Sequence, residues 1–365
     1  MHEKYMRRAL TLAQKARGLT SPNPMVGAVI VNNDHIVGQG YHHKAGAAHA
    51  EINALNEAGE AARGADLYVT LEPCSHYGRT PPCTEAIIKA GIKKVYMALR
   101  DPNPLVDGEG IKRLRDHGLE VEEGMLEHEA RIVNEAFIKF IKKEEPFVAL
   151  KTAMSLDGKI ATRTGEAKWI TGPEARNHGH LLRSEYDAIL VGIGTVTADD
   201  PSLTCRLNGT QGRDPIRVIV DSKLAIGSKA KVLGLSSSAE TIIATTAQAS
   251  THRIKEISQL AKVIVINEGP AVSLPMLMRE LGKMGICSVL VEGGAKINGS
   301  MLKERIIDKF YLYTAPMLIG GQGAPGAFGG DGTESLKDVQ HLSVVNTCFL
   351  GKDMLLTAYP EERRS

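Results

Sequence analysis

At 365 residues the chain has room for about two domains of ordinary size, which excludes one small binding module as the whole account. With 43% apolar and 24% charged residues, 37 glycines and 16 prolines, its composition is that of a globular protein and excludes collagenous or disordered chains. A formal net charge of +2 provides no polybasic field for nucleic acid or an anionic membrane, so small-molecule partners are the default. No stretch approaches a membrane span, and Met1-His2-Glu3-Lys4-Tyr5 opens a charged amphipathic segment and not a signal peptide; a cytoplasmic location is expected. Five cysteines, an odd number scattered over a long chain, make no disulfide framework, and close pairs point to metal or redox chemistry instead.

Taken in chain order, Tyr5, Met6, Ala9, Leu10, Leu12, Ala13 and Ala16 recur at helical spacing, and Ser21-Pro22-Asn23-Pro24 stops that helix. Met25 to Val31 and Ile36 to Tyr41 read as a hairpin about Asn32-Asn33-Asp34. Strands at Leu67–Leu71, Lys94–Leu99 and Leu119–Val121 then alternate with helical patterns at 50–59, 84–90, 109–117 and 127–141, an α/β sandwich. The polar run Lys142-Lys143-Glu144-Glu145-Pro146 precedes a fresh strand from Phe147 to Ala153, which divides the chain into 1–145 and 146–365. The second part alternates again, with strands at Ala188–Val191, Arg217–Val220, Thr241–Ala244, Val263–Ile266, Ser288–Val291 and Phe310–Tyr313.

Two constellations carry chemistry. His49-Ala50-Glu51 opens a helix, and Pro73-Cys74 and Pro82-Cys83 follow. One imidazole and two thiolates are three good zinc ligands and leave the fourth place open for water, the catalytic arrangement. A closed zinc knuckle would need a fourth ligand, and no second Cys-x-x-Cys is present. Glu51 is the natural proton shuttle, since base deaminases pair such a zinc with a glutamate that is not a ligand. Residues two apart do not share a helix face, so His49 and Glu51 meet one site only at the helix start. The spacing departs from Pro-Cys-x-x-Cys, with eight residues between Cys74 and Cys83. His76 and Arg79 lie inside that insert, His42 lies upstream, and Asn23 and Asn103 each sit between two prolines in turns that can present an amide.

The second constellation is a pair of apolar strands running into glycines, Ile189-Leu190-Val191-Gly192-Ile193-Gly194-Thr195 and Val289-Leu290-Val291-Glu292-Gly293-Gly294-Ala295. Such turns let a phosphate reach backbone N–H groups at a helix start, although simple turns look the same and neither is a full Gly-x-Gly-x-x-Gly. Lys151 and Glu292 put charge on strand-like segments, where it is unusual. Asp221 suits a loop cap, while Ser222 and Lys223 offer a hydroxyl and a cation to a 2′-phosphate. Cys205, Cys287 and Cys348 read as packing residues.

Through Thr20–Val29, His49–Glu51, Thr70–Cys83, Asp101–Pro104, Ser155–Lys159 and Val291–Gly294 the sequence resembles the bifunctional riboflavin-biosynthesis deaminase/reductases, over nearly its whole length. The long cysteine insert is a feature of that family. The resemblance implies an N-terminal cytidine-deaminase-like α/β/α sandwich and a C-terminal dihydrofolate-reductase-like α/β domain. It implies zinc on His49, Cys74 and Cys83, Glu51 as proton donor, and a pyrimidine and phosphoribosyl site lined by Asn23, His42, His76, Arg79 (lysine in some relatives) and Asn103. It further implies NADPH held by Ala153, Trp169, Thr195, Asp199, Ser222 and the run Gly294, Ala295, Lys296, Ile297, Asn298, Gly299, Ser300. Reductase substrate contacts would be Lys151, Ala167, Arg183, Leu203, Arg206 and Glu292, with Arg183 and Arg206 as phosphate clamps and Ala167, which departs from the serine common in the family, contributing backbone alone. The expected partners are pyrimidine ribosyl phosphates, with neither nucleic acid nor membrane, and the expected assembly is a homo-oligomer. Two rivals stand beside this reading. A nucleic-acid base deaminase would want more than 4% aromatic residues and a basic stripe. A non-catalytic zinc-stabilised nucleotide sensor would bind without turnover.

Overall fold

The computed structural model describes residues 2–77, 81–103, 106–207 and 212–361. The chain divides into two compact units, Met1–Glu144 and Glu145–Ser365.

In the first unit, α1 (Glu3–Gln14) buries Tyr5, Met6, Ala9, Leu10, Leu12 and Ala13, one stripe at helical spacing. The hairpin β1 (Gly27–Asn32) and β2 (His35–Tyr41) turns through Asn33 and Asp34, both at positive φ, as a two-residue hairpin turn requires. Helix α2 (Ala50–Ala58) lies directly on β2. A Cβ on Gly38 would stand 2.3 Å from the Ala54 carbonyl oxygen, and one on Gly40 2.6 Å from that of Ala50. The two glycines therefore set how closely α2 seats. Then come β3 (Asp66–Val69), α3 (Cys83–Lys89), β4 (Lys94–Met97), α4 (Glu109–Asp116) and β5 (Glu120–Glu122). The sheet order is β2-β1-β3-β4-β5, with β1 antiparallel to both neighbours and β3, β4 and β5 parallel, as helical crossovers demand. The helix expected over 127–141 is two, α5 (Glu127–Val133) and α6 (Glu135–Lys143). Asn134 breaks it: its buried amide accepts from Met25 N at 2.8 Å and donates to Met25 O at 3.0 Å, tying the helix pair to the start of β1.

Among its described residues the second unit has a sheet of nine strands. It runs β6 (Phe147–Ser155), α7 (Pro173–Glu185), β7 (Ala188–Gly192), α8 (Ile193–Asp199), β8 (Ile216–Val220), β9 (Thr241–Thr246), α9 (Thr251–Ile257), β10 (Lys262–Asn267), α10 (Leu274–Lys283), β11 (Ser288–Val291), α11 (Ala295–Lys303), β12 (Lys309–Ala315), β13 (Leu342–Leu350) and β14 (Asp353–Pro360). The order is β10-β9-β8-β7-β11-β6-β12-β14-β13, parallel from β10 to β12 and antiparallel across β14 and β13. Strands β7 and β11 are buried at every position, as parallel strands covered on both faces must be. Because β11 returns between β6 and β7, chain order reverses there, and the carboxyl ends of these strands form the crevice where open α/β sheets bind ligands. The closing hairpin was not expected from the sequence: a register shift between Val344 and Asn346 interrupts the alternation by which β13 would be read. Among the described residues no helix is long and apolar enough to cross a membrane.

Candidate active sites

His49 is the residue before α2, in extended conformation (φ −70°, ψ 163°), and Glu51 lies in the first turn. This is the splayed geometry that lets two residues two apart share a site. Cys74 follows β3, Cys83 opens α3, and the Cys83 N–H donates to Cys74 Sγ at 3.3 Å. His49 Nδ1 is 3.2 Å from Cys83 Sγ and 3.6 Å from Cys74 Sγ, and the three donor atoms all lie within 4.8 Å of one another. Tetrahedral zinc bonds of about 2.0–2.3 Å set such atoms about 3.5–3.8 Å apart, so the group fits that ion.

The electrostatics also ask for a cation. Burial, then the Cys74 charge, raises the Glu51 carboxyl to about 7. The hydrogen bond from the Cys83 thiol holds Cys74 down, and the same contact together with burial pushes Cys83 up. His49 is raised by its hydrogen bond to Cys74. Two sulfurs and a carboxyl crowded out of water are what a dication relieves.

The polar surround is partly joined to this cluster. The Nδ1–H of buried His42 donates to Ala48 O at 3.1 Å, its Nε2 lies 3.2 Å from Asn23 Nδ2, and its ring meets His49 edge-on with centroids 5.5 Å apart. Burial first lowers the His42 pKa, in keeping with a neutral ring. His76 is exposed and acts electrostatically on Asp101, whose carboxylate accepts from the Asn103 N–H at 2.9 Å. Arg79 lies outside the described residues. One residue in the motif had no assigned role: Glu72, 4% exposed, accepts the N–H groups of Asp101, Gly108, Gly110 and Ile111 at 2.9–3.3 Å. It anchors the Asp101–Asn103 turn and the first turn of α4 to the strand end that carries Cys74.

In the second unit, Lys151 and Ala153 of β6, Ala167, Trp169, Arg183, Arg206 and Glu292 line one cleft of about 500 Å³. Arg176, Asn177 and His180 on α7 join them, unforeseen because polar residues on a helix face read as solvated. Glu292, just past β11, takes both Nε and Nη2 of Arg183 at 2.7 and 2.9 Å, with Lys151 Nζ at 3.7 Å. Burial alone would raise its carboxyl, but Arg183 and then Lys151 outweigh burial and hold it at about 2. The fork expected to clamp a phosphate thus faces Glu292, while Arg206 is exposed at the cleft. His180 is pressed down to about 4, first by burial and then by Arg183 and Arg206. Leu203 instead packs into the core with Ile189, Val191 and Ile219.

Around the glycine turns, Gly192 precedes α8 and Gly294 precedes α11. Open space lies where a Cβ would stand on Gly194, and Thr195 Oγ1 is 3.6 Å from that position on Gly294. Two helix starts at the carboxyl ends of β7 and β11, with open space at Gly194, fit a dinucleotide's phosphates. Asp199 pairs with Lys168 at 3.5 Å. Ser222 Oγ accepts the Val272 N–H at 3.0 Å, and Asp221 accepts the Ile226 N–H, a loop cap. Along α11, Ala295 O accepts the Gly329 N–H, Ile297 packs under Gly192 and Gly293, and Gly299 abuts the Gly329 backbone, while Lys296 and Ser300 are exposed. Asn298 donates to Ala327 O, and its Oδ1 is, among the described residues, the one buried side-chain oxygen or nitrogen without a partner.

Comparisons with known proteins match both units of the chain. The RibD C-terminal domain family matches residues 146–356, and the cytidine and deoxycytidylate deaminase zinc-binding region matches residues 1–99. The riboflavin biosynthesis protein RibD of Bacillus amyloliquefaciens is 47% identical over 362 residues, covering 99% of this chain and 97% of that one. That of Escherichia coli (strain K12) is 41% identical over 366 residues, covering 97% and 98%. Among solved structures, Acinetobacter baumannii RibD superposes with a TM-score of 0.89 at 39% identity, covering 99% of each chain. A diaminohydroxyphosphoribosylaminopyrimidine deaminase/5-amino-6-(5-phosphoribosylamino)uracil reductase from Thermotoga maritima gives 0.85 at 39% identity, covering 98% of each.

Proposed function

The chain belongs to the RibD family, the zinc-dependent deaminase and NADPH-dependent reductase that riboflavin biosynthesis joins on one polypeptide, and from that membership we propose its substrates and the role of each residue. Residues 1–145 take 2,5-diamino-6-(5-phosphoribosylamino)pyrimidin-4(3H)-one, add water at the amino-bearing ring carbon and release ammonia. Residues 146–365 take the product, 5-amino-6-(5-phosphoribosylamino)uracil, and reduce its ribosyl group to ribityl with NADPH.

For deamination, His49, Cys74 and Cys83 hold the zinc, which when bound supplies a water activated for attack. Glu51 would take a proton from the attacking water and pass one to the departing nitrogen. Its burial supports this role, since a carboxyl shut away from solvent exchanges its proton with the substrate and not with bulk water. Asn23 and His42, linked at 3.2 Å, face the ring, and Glu72 steadies the turn that presents Asn103. His76 and Arg79 meet the phosphoribosyl group.

For reduction, NADPH supplies the hydride and the protein orients it. Ala153, Trp169, Thr195, Asp199, Ser222 and the segment 294–300 line the dinucleotide. Lys151, Ala167, Arg183, Arg206 and Glu292 line the substrate, and Leu203, packed into the core, is left out of this set. Of the two arginines, Arg206, exposed and with its guanidinium donating only to Thr204 Oγ1 at 3.4 Å among the described residues, offers that guanidinium for the phosphate, because Arg183 is spent on fixing Glu292. A homo-oligomer and a cytoplasmic location belong to the same proposal. The edge strand β13, with Val344, Val345 and Phe349 exposed, supports the first, and phosphorylated, membrane-impermeant reactants support the second.

The observation that carries this reading is the His49, Cys74 and Cys83 donor set beside buried Glu51. Metal analysis combined with mass spectrometry of the products of the full chain tests it. One zinc per chain, exchange of one ring amino group for a carbonyl, and gain of two hydrogens only when NADPH is present are the expected results. Binding of the substrate with no product at either step would favour the sensor and overturn the enzyme.

A further inference from the structure

Trp169 is the chain's one tryptophan, and it stands 66% exposed at the reductase cleft. An indole left so open is not fixed by burial, and what fixes it is Arg176. The guanidinium carbon of Arg176, on α7, lies 4.6 Å from the ring centroid, and its Nη1 donates to the Thr171 carbonyl at 2.7 Å. One side chain thus grips the segment twice, through the π face of Trp169 and through the backbone two residues on. Other contacts hold the flanks without touching the ring: Lys168 pairs with Asp199 at 3.5 Å, and Gly172 N donates to buried Asp353 at 2.6 Å. A guanidinium suits this double grip because it is planar, stacks on an indole and still presents directed N–H groups, whereas an ammonium is a compact point charge on a flexible stem.

We infer that Arg176 is a positioning residue of the reductase step: it holds Trp169 against the cleft wall with one ring face open to the nucleotide, and it acts on NADPH binding through Trp169. The inference deepens the reductase reading and rests on it. A surface arginine in casual contact with the ring would matter neither to the indole's mobility nor to the cofactor.

The single tryptophan makes the test site-specific, since all indole emission comes from position 169. Arg176→Met, Arg176→Lys, Trp169→Phe and the double variant Arg176→Met/Trp169→Phe are compared in the full chain. Emission polarisation and acrylamide quenching report the ring, and NADPH KM and kcat with the deaminated substrate report function. Far-UV circular dichroism and its thermal unfolding transition report that the second unit has folded in each variant. Arg176→Met is expected to lower polarisation and raise quenching about twofold, to raise the NADPH KM about fivefold and to change kcat less than about twofold, in line with a cation–π contact. Arg176→Lys is expected to recover less than half of the KM effect. In the Trp169→Phe background, Arg176→Met is expected to shift KM by less than about twofold, because the residue it acts through is gone. Unchanged polarisation and quenching in Arg176→Met would overturn the inference, and so would a full KM penalty that persists without Trp169, which marks a role in α7 alone. If the unaltered chain does not oxidise NADPH, the reductase reading falls. The fluorescence of Trp169 still reads whether Arg176 holds the ring, so the two failures are distinct.

Discussion

The His49, Cys74 and Cys83 group and its proposed proton shuttle Glu51 come from residues 49 to 83, while the cleft of the second unit gathers side chains from residues 151 to 292 across β6, α7 and the end of β11. The first site places a few groups of fixed chemistry where two helices begin, buried and strongly coupled. The second is a wide surface whose charges are mostly spent on each other, Arg183 and Lys151 on Glu292, and whose dinucleotide side is largely backbone and packing. The contrast follows from the tasks. A metal selects residue types, whereas a large cofactor selects a shape and brings its own reactivity.

The sharpest way to break that contrast is Glu51→Ala. Ammonia release should fall by about 10³–10⁴-fold, the upper range for a proton shuttle, with NADPH oxidation on the deaminated intermediate unchanged. Persisting deamination would remove Glu51 from the chemistry, and a parallel loss of reduction would mean that the sites are not separable.

The second site predicts a stability effect instead. The Glu292 carboxyl is held at about 2 against an ordinary 4.5, so its stabilisation is complete above about pH 5 and is lost as pH falls through about 2. That shift corresponds to about 3 kcal/mol. Glu292→Gln should lower the unfolding free energy by about this amount at neutral pH and flatten its acid dependence, as followed by Trp169 emission in urea. An acid slope identical in the variant would place the titrating group elsewhere.

The smallest effect sharpens how the first site is seated. Gly40→Ala sets a methyl 2.6 Å from the Ala50 carbonyl oxygen, and should cost about 1–3 kcal/mol while lowering the zinc content by displacing the start of α2. Full zinc occupancy at unchanged stability would show that α2 can shift without moving His49.

Legibility in the sequence tracks the same divide. His49, Glu51, Cys74 and Cys83 stand out because thiols, imidazole and carboxyl at short spacing have few other uses. The demand that His49 and Glu51 meet at a helix start corresponds to the extended conformation of His49. Glu72 was illegible as an anchor because its partners are backbone N–H groups 29 to 39 positions away, which no residue type announces. Arg176 and His180 were hidden on a helix whose polar face looks solvated until a cleft is built against it. Arg183 was read as a phosphate clamp because sequence displays a guanidinium but not the carboxylate 109 positions on that occupies it. In the fold, apolar runs gave the buried parallel strands, whereas the break at Asn134 depends on a contact with Met25 across 109 positions.

That contact bears on how little of a deaminase is enough. The part shared with the zinc-binding deaminase region ends at residue 99, yet the backbone two residues beyond Asn23 is clasped on both its N–H and its carbonyl by an amide at position 134. A stand-alone catalyst trimmed to the shared segment keeps His49, Cys74 and Cys83 and loses the clasp on the Asn23 turn. The minimal transplantable deaminase therefore runs past the end of α5, at least through Asn134.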